Sequence, residues 1–124
     1  MIVNVSSLGA LRVRPGASAY QPSKFALLRF NEFLDAEYVA RGLTAIAIHP
    51  GGVATELALN MPASMRAVLV DTPALGADTI VWVTADNRVW LSGRFVSVNW
   101  DMPELEARKD DIVAGDKLKM KLAV

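Results

Sequence analysis

The chain has 124 residues, 52% of them hydrophobic, with 13 lysines and arginines balancing 13 aspartates and glutamates, one histidine and no cysteine. One modest domain fits that length, the apolar content excludes a disordered chain, and the balanced charge excludes electrostatic recruitment to nucleic acid or an anionic membrane. Disulfide and thiolate chemistry are excluded outright, and a lone histidine leaves no zinc ligand set.

Ile2 to Val5 is a short apolar run with β-branched residues, which predicts a buried strand. It breaks into Ser6-Ser7-Leu8-Gly9, and Pro15-Gly16 marks a turn. The next element is a long helix over 18–41. Ser18 and Gln21 fit a capping box, Pro22 falls near the first turn, and Gly42 suits a left-handed cap. Its apolar surface, from Phe25 through Phe30, Phe33 and Val39, is wider than one stripe. One face is expected on a sheet and another on a neighbouring helix or a second subunit, which makes a homo-oligomer through helix 18–41 the expected association.

Leu43 to His49 predicts a second strand, almost continuously apolar as parallel strands are, ending at Pro50-Gly51-Gly52. Strand, helix and strand with short joints make a βαβ unit. Residues 54–70 form an irregular apolar stretch. Thr72-Pro73 reads as the cap and first position of a helix through Ile80 and Val83, ended by Asn87. Ser92-Gly93 leads to a third strand, Arg94 to Asn99, and the charged segment Glu104 to Val113 predicts an exposed or partner-packed helix. The expected fold is thus α/β, with about three parallel strands and flanking helices. Residues 1–100 carry the sheet, and 101–124 form a charged helical tail. Met1 to Val5 is too short and uncharged for a secretory signal, and no stretch is long and apolar enough to cross a membrane. A soluble cytoplasmic protein is the expectation.

The chemistry concentrates in Ser7, Tyr20 and Lys24. Tyr20 and Lys24 stand four apart on a helix, on the same face, where an ammonium can act on a phenol and favour its ionised form. Such a phenol can serve as acid or base at a carbonyl or alcohol carbon while a serine hydroxyl holds the oxygen. Four-residue spacing alone is equally explained by a lysine snorkelling past a tyrosine. Ser7 at a strand end and the pair at the start of the next helix change the balance, because ligands of an open parallel sheet bind outside the carboxyl ends of its strands. Pro50, Gly51, Gly52, Val53 and Thr55 follow the second strand at that same edge, where glycine lets backbone approach a flat ligand. His49 reads as structural, since one histidine without a partner satisfies no catalytic geometry. Ser7 as a hydrolase nucleophile lacks a Gly-x-Ser-x-Gly elbow and leaves the tyrosine and lysine without work. Trp82, Trp90 and Trp100 read as packing residues.

Together these pieces resemble the short-chain dehydrogenase/reductase family. Asn4-Val5-Ser6-Ser7 with Gly9 looks like its fifth-strand segment, and Tyr20-Gln21-Pro22-Ser23-Lys24 like its Tyr-x-x-x-Lys motif. The spacing to Tyr20 favours Ser7 over Ser6. His49-Pro50-Gly51-Gly52-Val53-Ala54-Thr55 looks like the family's Pro-Gly loop, and Gly93 to Val98 like its last strand. The resemblance implies the carboxyl half of a Rossmann-like doubly wound sheet. It also implies an oxidoreductase that interconverts an alcohol and a carbonyl on a small substrate, with NADP, the favoured cofactor, or NAD. Tyr20 would be the general acid or base and Ser7 the holder of the substrate oxygen. Lys24 would act on Tyr20 and the nicotinamide ribose, and Pro50, Gly51, Val53 and Thr55 would lie at the nicotinamide end. The apolar run from Leu57 to Val70 would be the substrate lid, suited to an uncharged, rather apolar substrate.

The family's glycine-rich turn, its Asn-Ala-Gly segment and the asparagine of its preceding helix have no counterpart in these 124 residues. The expectation is therefore the carboxyl half of a larger oxidoreductase, inactive alone. The alternative is a non-catalytic fragment acting through subunit or partner association.

Overall fold

The computed structural model describes residues 1–123. Three strands, β1 (Ile2–Val5), β2 (Ala45–His49) and β3 (Phe95–Ser97), form one parallel sheet in the order β1-β2-β3. The pairing register runs Ile2 to Ala45 through Val5 to Ile48, then Ala47 to Phe95 through His49 to Ser97. All three strands therefore end at the same edge.

The alternation of side chains along β2 divides the core in two. Ala47 and Phe95 face α1 (Tyr20–Tyr38), where Leu28 and Ala10 complete a small cluster. Alanine at this position lets a helix approach the sheet closely. On the opposite face Ile46 and Val96 pack with Val83 of α3 (Pro73–Ala85), Leu91, Leu105 of α4 (Met102–Ala107) and Ile112 of α5 (Lys109–Ala114). Helices on both faces of a parallel sheet make the doubly wound α/β arrangement. Trp82 and Trp90 pack against the second cluster, and Trp100 meets Phe95 edge-on.

Several expectations need correction. No capping box forms at Ser18: α1 starts at Tyr20 after Ala19, which makes no side-chain cap. Gln21 instead accepts the Arg14 amide at 3.0 Å and pins the preceding loop, a tertiary use that outcompetes the local one. The segment Glu104 to Val113 is two short helices, and it is neither exposed throughout nor left for a partner, because Leu105 and Ile112 enter this chain's own core. The second and third strands are shorter than expected, since Leu43-Thr44, Arg94 and Val98-Asn99 lie outside the paired residues. The stretch 54–70 folds into a four-residue helix, α2 (Glu56–Leu59), and a 3-10 segment, Ala63–Val68.

Other local readings match. Gly42 adopts φ +82° after the 3-10 turn that ends α1, and Thr72 caps α3 with Pro73 in first position. A cap that sequence reasoning did not name is Asp101, which holds α4 through the Glu104 amide at 2.8 Å. Helix α1 joins the sheet through Asn31, fully buried, which accepts from Asn4 of β1 at 3.0 Å and donates to the Arg94 carbonyl before β3. Its outer surface leaves Phe25, Phe30 and Phe33 exposed, and β1 is an edge strand with Ile2 and Val5 exposed. Beside β3 the chain end lies alongside, with the Phe95 amide donating to Leu118 at 2.9 Å. Met120 and Lys119 then reach back to Glu32 and Asp35 of α1. Among the described residues no helix is long and apolar enough to cross a membrane.

Candidate functional site

The carboxyl edge of the sheet brings three loops together. After β1 the backbone turns at Ser6, whose amide donates to Ile48 at 2.8 Å, so the ends of β1 and β2 stay side by side. Ser6 and Ser7 then take opposite fates. Ser6 is buried and spends its hydroxyl on the Lys24 carbonyl at 2.8 Å, tying α1 to the strand end. Ser7 caps the 3-10 turn Leu8–Leu11 by accepting the Gly9 amide at 2.9 Å, which leaves its own O–H to donate elsewhere.

Gly9 fixes the spacing of serine and tyrosine. A Cβ at Gly9 would lie 3.2 Å from Ser7 Oγ and 3.6 Å from Tyr20 Cε1. Both groups therefore border one small volume that a side chain at position 9 would fill. Tyr20 is 47% exposed. One turn along α1, the Lys24 ammonium donates to the Val5 carbonyl at 2.9 Å and lies 5.8 Å from the centroid of the Tyr20 ring. Lys24 is thus anchored by the last carbonyl of β1, with two of its three protons uncommitted among the described residues. The structure brings Ser7, Tyr20 and Lys24 into one group at the strand end.

The Pro50–Thr55 loop follows β2 at the same edge. Gly51 has φ +92°, a conformation in which side chains are strained. Thr55 caps α2 through the Ala58 amide at 3.3 Å, and its own amide donates to Val53 at 2.8 Å. Gly76 of α3 abuts the Pro50 carbonyl, where a Cβ would stand 3.0 Å away. The loop is therefore held from below by α3 and carries no bulk on its glycines.

Two residues that sequence reasoning passed over organise this loop. Asp71 accepts the Gly52 amide at 2.6 Å and the Asn99 side-chain amide at 2.9 Å. Those two hydrogen bonds, the backbone one first, hold its carboxyl below the usual carboxylate range. His49 beside it is pushed down by burial, against a smaller upward pull from the Asp71 charge, and its Nδ1 is buried without a partner. The neutral imidazole is the favoured form. An aspartate just before the Thr72-Pro73 helix start was the only signal in the sequence, and a cap or a surface charge explains it as well. Among the described residues no cluster of histidine and carboxylate side chains could hold a metal ion.

Comparison with known proteins bears on the family and the fold. Residues 1–66 match the family model for short chain dehydrogenase. The chain is 57% identical over 123 residues to a short chain dehydrogenase of Monascus purpureus, covering 99% of this chain and 42% of that protein. It is 47% identical over 123 residues to one of Emericella variicolor, with the same coverage of 99% and 42%. It thus spans less than half the length of these relatives. In fold it is similar to the NADPH-bound carbonyl reductase from chicken fatty liver, with a TM-score of 0.62 at 24% identity over 77% of this chain and 39% of that one. By its matched residues and its relatives, the chain belongs to the short-chain dehydrogenase family.

Proposed function

We propose that this chain supplies the substrate and nicotinamide half of an oxidoreductase that interconverts an alcohol and a carbonyl, with Tyr20 moving the proton. The observation that carries the reading is the packing around Gly9, which sets Ser7 Oγ and the Tyr20 ring against one small space while Lys24 is anchored beside them. No Gly-x-Ser-x-Gly elbow surrounds Ser7, which disfavours a hydrolase, and a lysine merely snorkelling past a tyrosine gives no reason for Ser7 Oγ to border the same space.

The residues present fit the nicotinamide end of a dinucleotide. Lys24 has protons left for ribose hydroxyls, and the Pro50–Val53 loop presents backbone without glycine side chains at the carboxyl edge. When bound, NAD or NADP supplies or accepts the hydride. The similar chicken reductase is bound to NADPH, which favours NADP here. Ser7 donates a hydrogen bond from its hydroxyl to the substrate oxygen, keeping its proton, and stabilises the charge that develops there. Tyr20 gives its proton to that oxygen in reduction and takes it back in oxidation. Lys24 places a positive charge beside the phenol throughout. The segment from Leu57 to Val70, part of the loop that Asp71 closes on Gly52, would form the substrate lid, and its exposed Leu57, Leu59, Val68 and Val70 suit a small, uncharged, apolar substrate.

The test is a titration of the labelled chain with NADPH and NADH, read at the backbone amides of residues 51–55, followed by reduction of apolar ketones and aldehydes. Saturable shifts at those amides are expected. Tyr20→Phe should then cut turnover by about 10²–10⁴-fold, the usual scale of general acid catalysis, while cofactor binding persists. Measurable turnover that is equal in Tyr20→Phe and the parent chain would sink the assignment, whereas no turnover in either is the outcome expected of a half that is inactive alone.

A further inference from the structure

One side chain outside the serine, tyrosine and lysine set joins three segments of the carboxyl edge. Asp71 stands between the 3-10 segment Ala63–Val68 and α3. Its Oδ2 accepts the Gly52 amide at 2.6 Å, its own amide donates to the Gly52 carbonyl at 2.9 Å, and its Oδ1 accepts from Asn99 at 2.9 Å. The chain from Val53 to Val70 is therefore a loop pinched at its base by bonds running in both directions. Asn99, two residues past β3, is oriented in turn by Ser97, whose hydroxyl donates to Asn99 Oδ1 and accepts its amide, both at 3.4 Å.

The packing leaves this clasp no slack. A Cβ at Gly51 would stand 3.0 Å from Asp71 Cβ, and one at Gly52 would run into the Val68 carbonyl. Both carboxylate oxygens act as acceptors, one for a main-chain donor and one for an amide, so an ionised acid is the group that satisfies the geometry. His49 lies next to it but makes no hydrogen bond to it. We infer that Asp71, locked by Asn99, is a positioning residue that holds the Pro50–Val53 backbone ready for the nicotinamide end of the cofactor, an inference resting on the oxidoreductase reading above.

The experiment compares the 124-residue chain with Asp71→Asn, Asn99→Asp and the double variant D71N/N99D. Asparagine at 71 offers one acceptor oxygen where two are needed, so one bond is lost. Asn99→Asp alone sets two carboxylates face to face. The double variant restores both bonds with one reversed, the new amide donating to position 99 while its oxygen accepts the Gly52 amide. Two readouts are taken: hydrogen exchange of the Gly52 amide in the unliganded chain, and NADPH affinity from shifts at residues 51–55. Each single variant should speed Gly52 exchange and weaken NADPH about tenfold, the scale of coupling between linked sites, and the double variant should return to within about twofold of the parent. Asn99→Ala, which keeps the Gly52 bond, should weaken NADPH about threefold and carries the comparison should Asp71→Asn fail to fold. Unchanged affinity in the single variants overturns the inference, as does a folded double variant as weak as its parents. Failure of the oxidoreductase reading looks different: the parent chain itself then shows no shift with either cofactor, and the inference falls with it.

Discussion

Replacing Gly52 by alanine tests the tightest point of the loop. Gly52 has no positive φ, so alanine suits its backbone, and any effect must come from the space around it. The added methyl would run into the Val68 carbonyl oxygen and sit 3.0 Å from the carbonyl carbon, where ordinary contacts between carbon atoms begin at about 3.5 Å. The obstacle is backbone, so no rotamer change relieves it. Overpacking of this kind costs about 1–3 kcal/mol, and turning Gly52 aside would also strain a hydrogen bond to a charged group. A total of about 2 kcal/mol should lower Tm by roughly 8 °C in a chain of this size. The assay is thermal unfolding followed by circular dichroism, with Gly16→Ala as comparison. Gly16 has open space but φ +81°, so its variant carries only the left-handed penalty of about 1 kcal/mol. Gly52→Ala should therefore melt below Gly16→Ala. Adding Val68→Ala should not rescue it, because the clash lies with the Val68 main chain. A Gly52→Ala chain that melts with the parent, or a rescue by Val68→Ala, would refute the reasoning.

Two further outcomes follow from the buried polar groups. Asn31→Ala removes the link from α1 to β1 and to the carbonyl before β3, leaving the Asn4 side-chain amide without its partner while the Arg94 carbonyl keeps the Ala47 amide; the expected loss is about 1–3 kcal/mol, measured by urea unfolding. The acid response should have two limbs. His49 has a lowered folded value, so its contribution is complete above the ordinary 6.5 and is lost as pH falls from there through the folded value. Asp71, Asp111 and Asp116 are also lowered, the last two by Lys117 and by Lys119 with Lys121, so theirs is complete above the ordinary 3.8 and disappears below it. Thermal melts from pH 8 to pH 3 should show both limbs, and His49→Gln should abolish only the upper one. An upper limb that survives in a chain without histidine would contradict the assignment.

The elements legible in the sequence were those with local causes. Continuous apolar runs marked β1 and β2, Gly42 marked the end of α1, and Thr72-Pro73 marked the start of α3, because each depends on nearby backbone geometry. Gln21 misled for the opposite reason: a capping box is a local bond, and the loop amide of Arg14 competed for the same side chain. Leu105 and Ile112 were obscured by the charges around them, although two buried residues suffice to fasten short helices to a core.

The sequence by itself determined the order of strand, helix and strand, the residues Ser7, Tyr20 and Lys24, and the glycines of the loop after β2. These depend on residue type and spacing along one chain. The spacing already favoured Ser7 over Ser6, and the tertiary structure supplies the physical reason: burial commits Ser6 to the Lys24 carbonyl and leaves Ser7 beside Gly9. Only the tertiary structure brought Asp71 and Asn99 to Gly52, because a bond between residues 19 or 28 positions apart has no periodicity to announce it. The chemistry is written in nearby residues, and its alignment in distant ones.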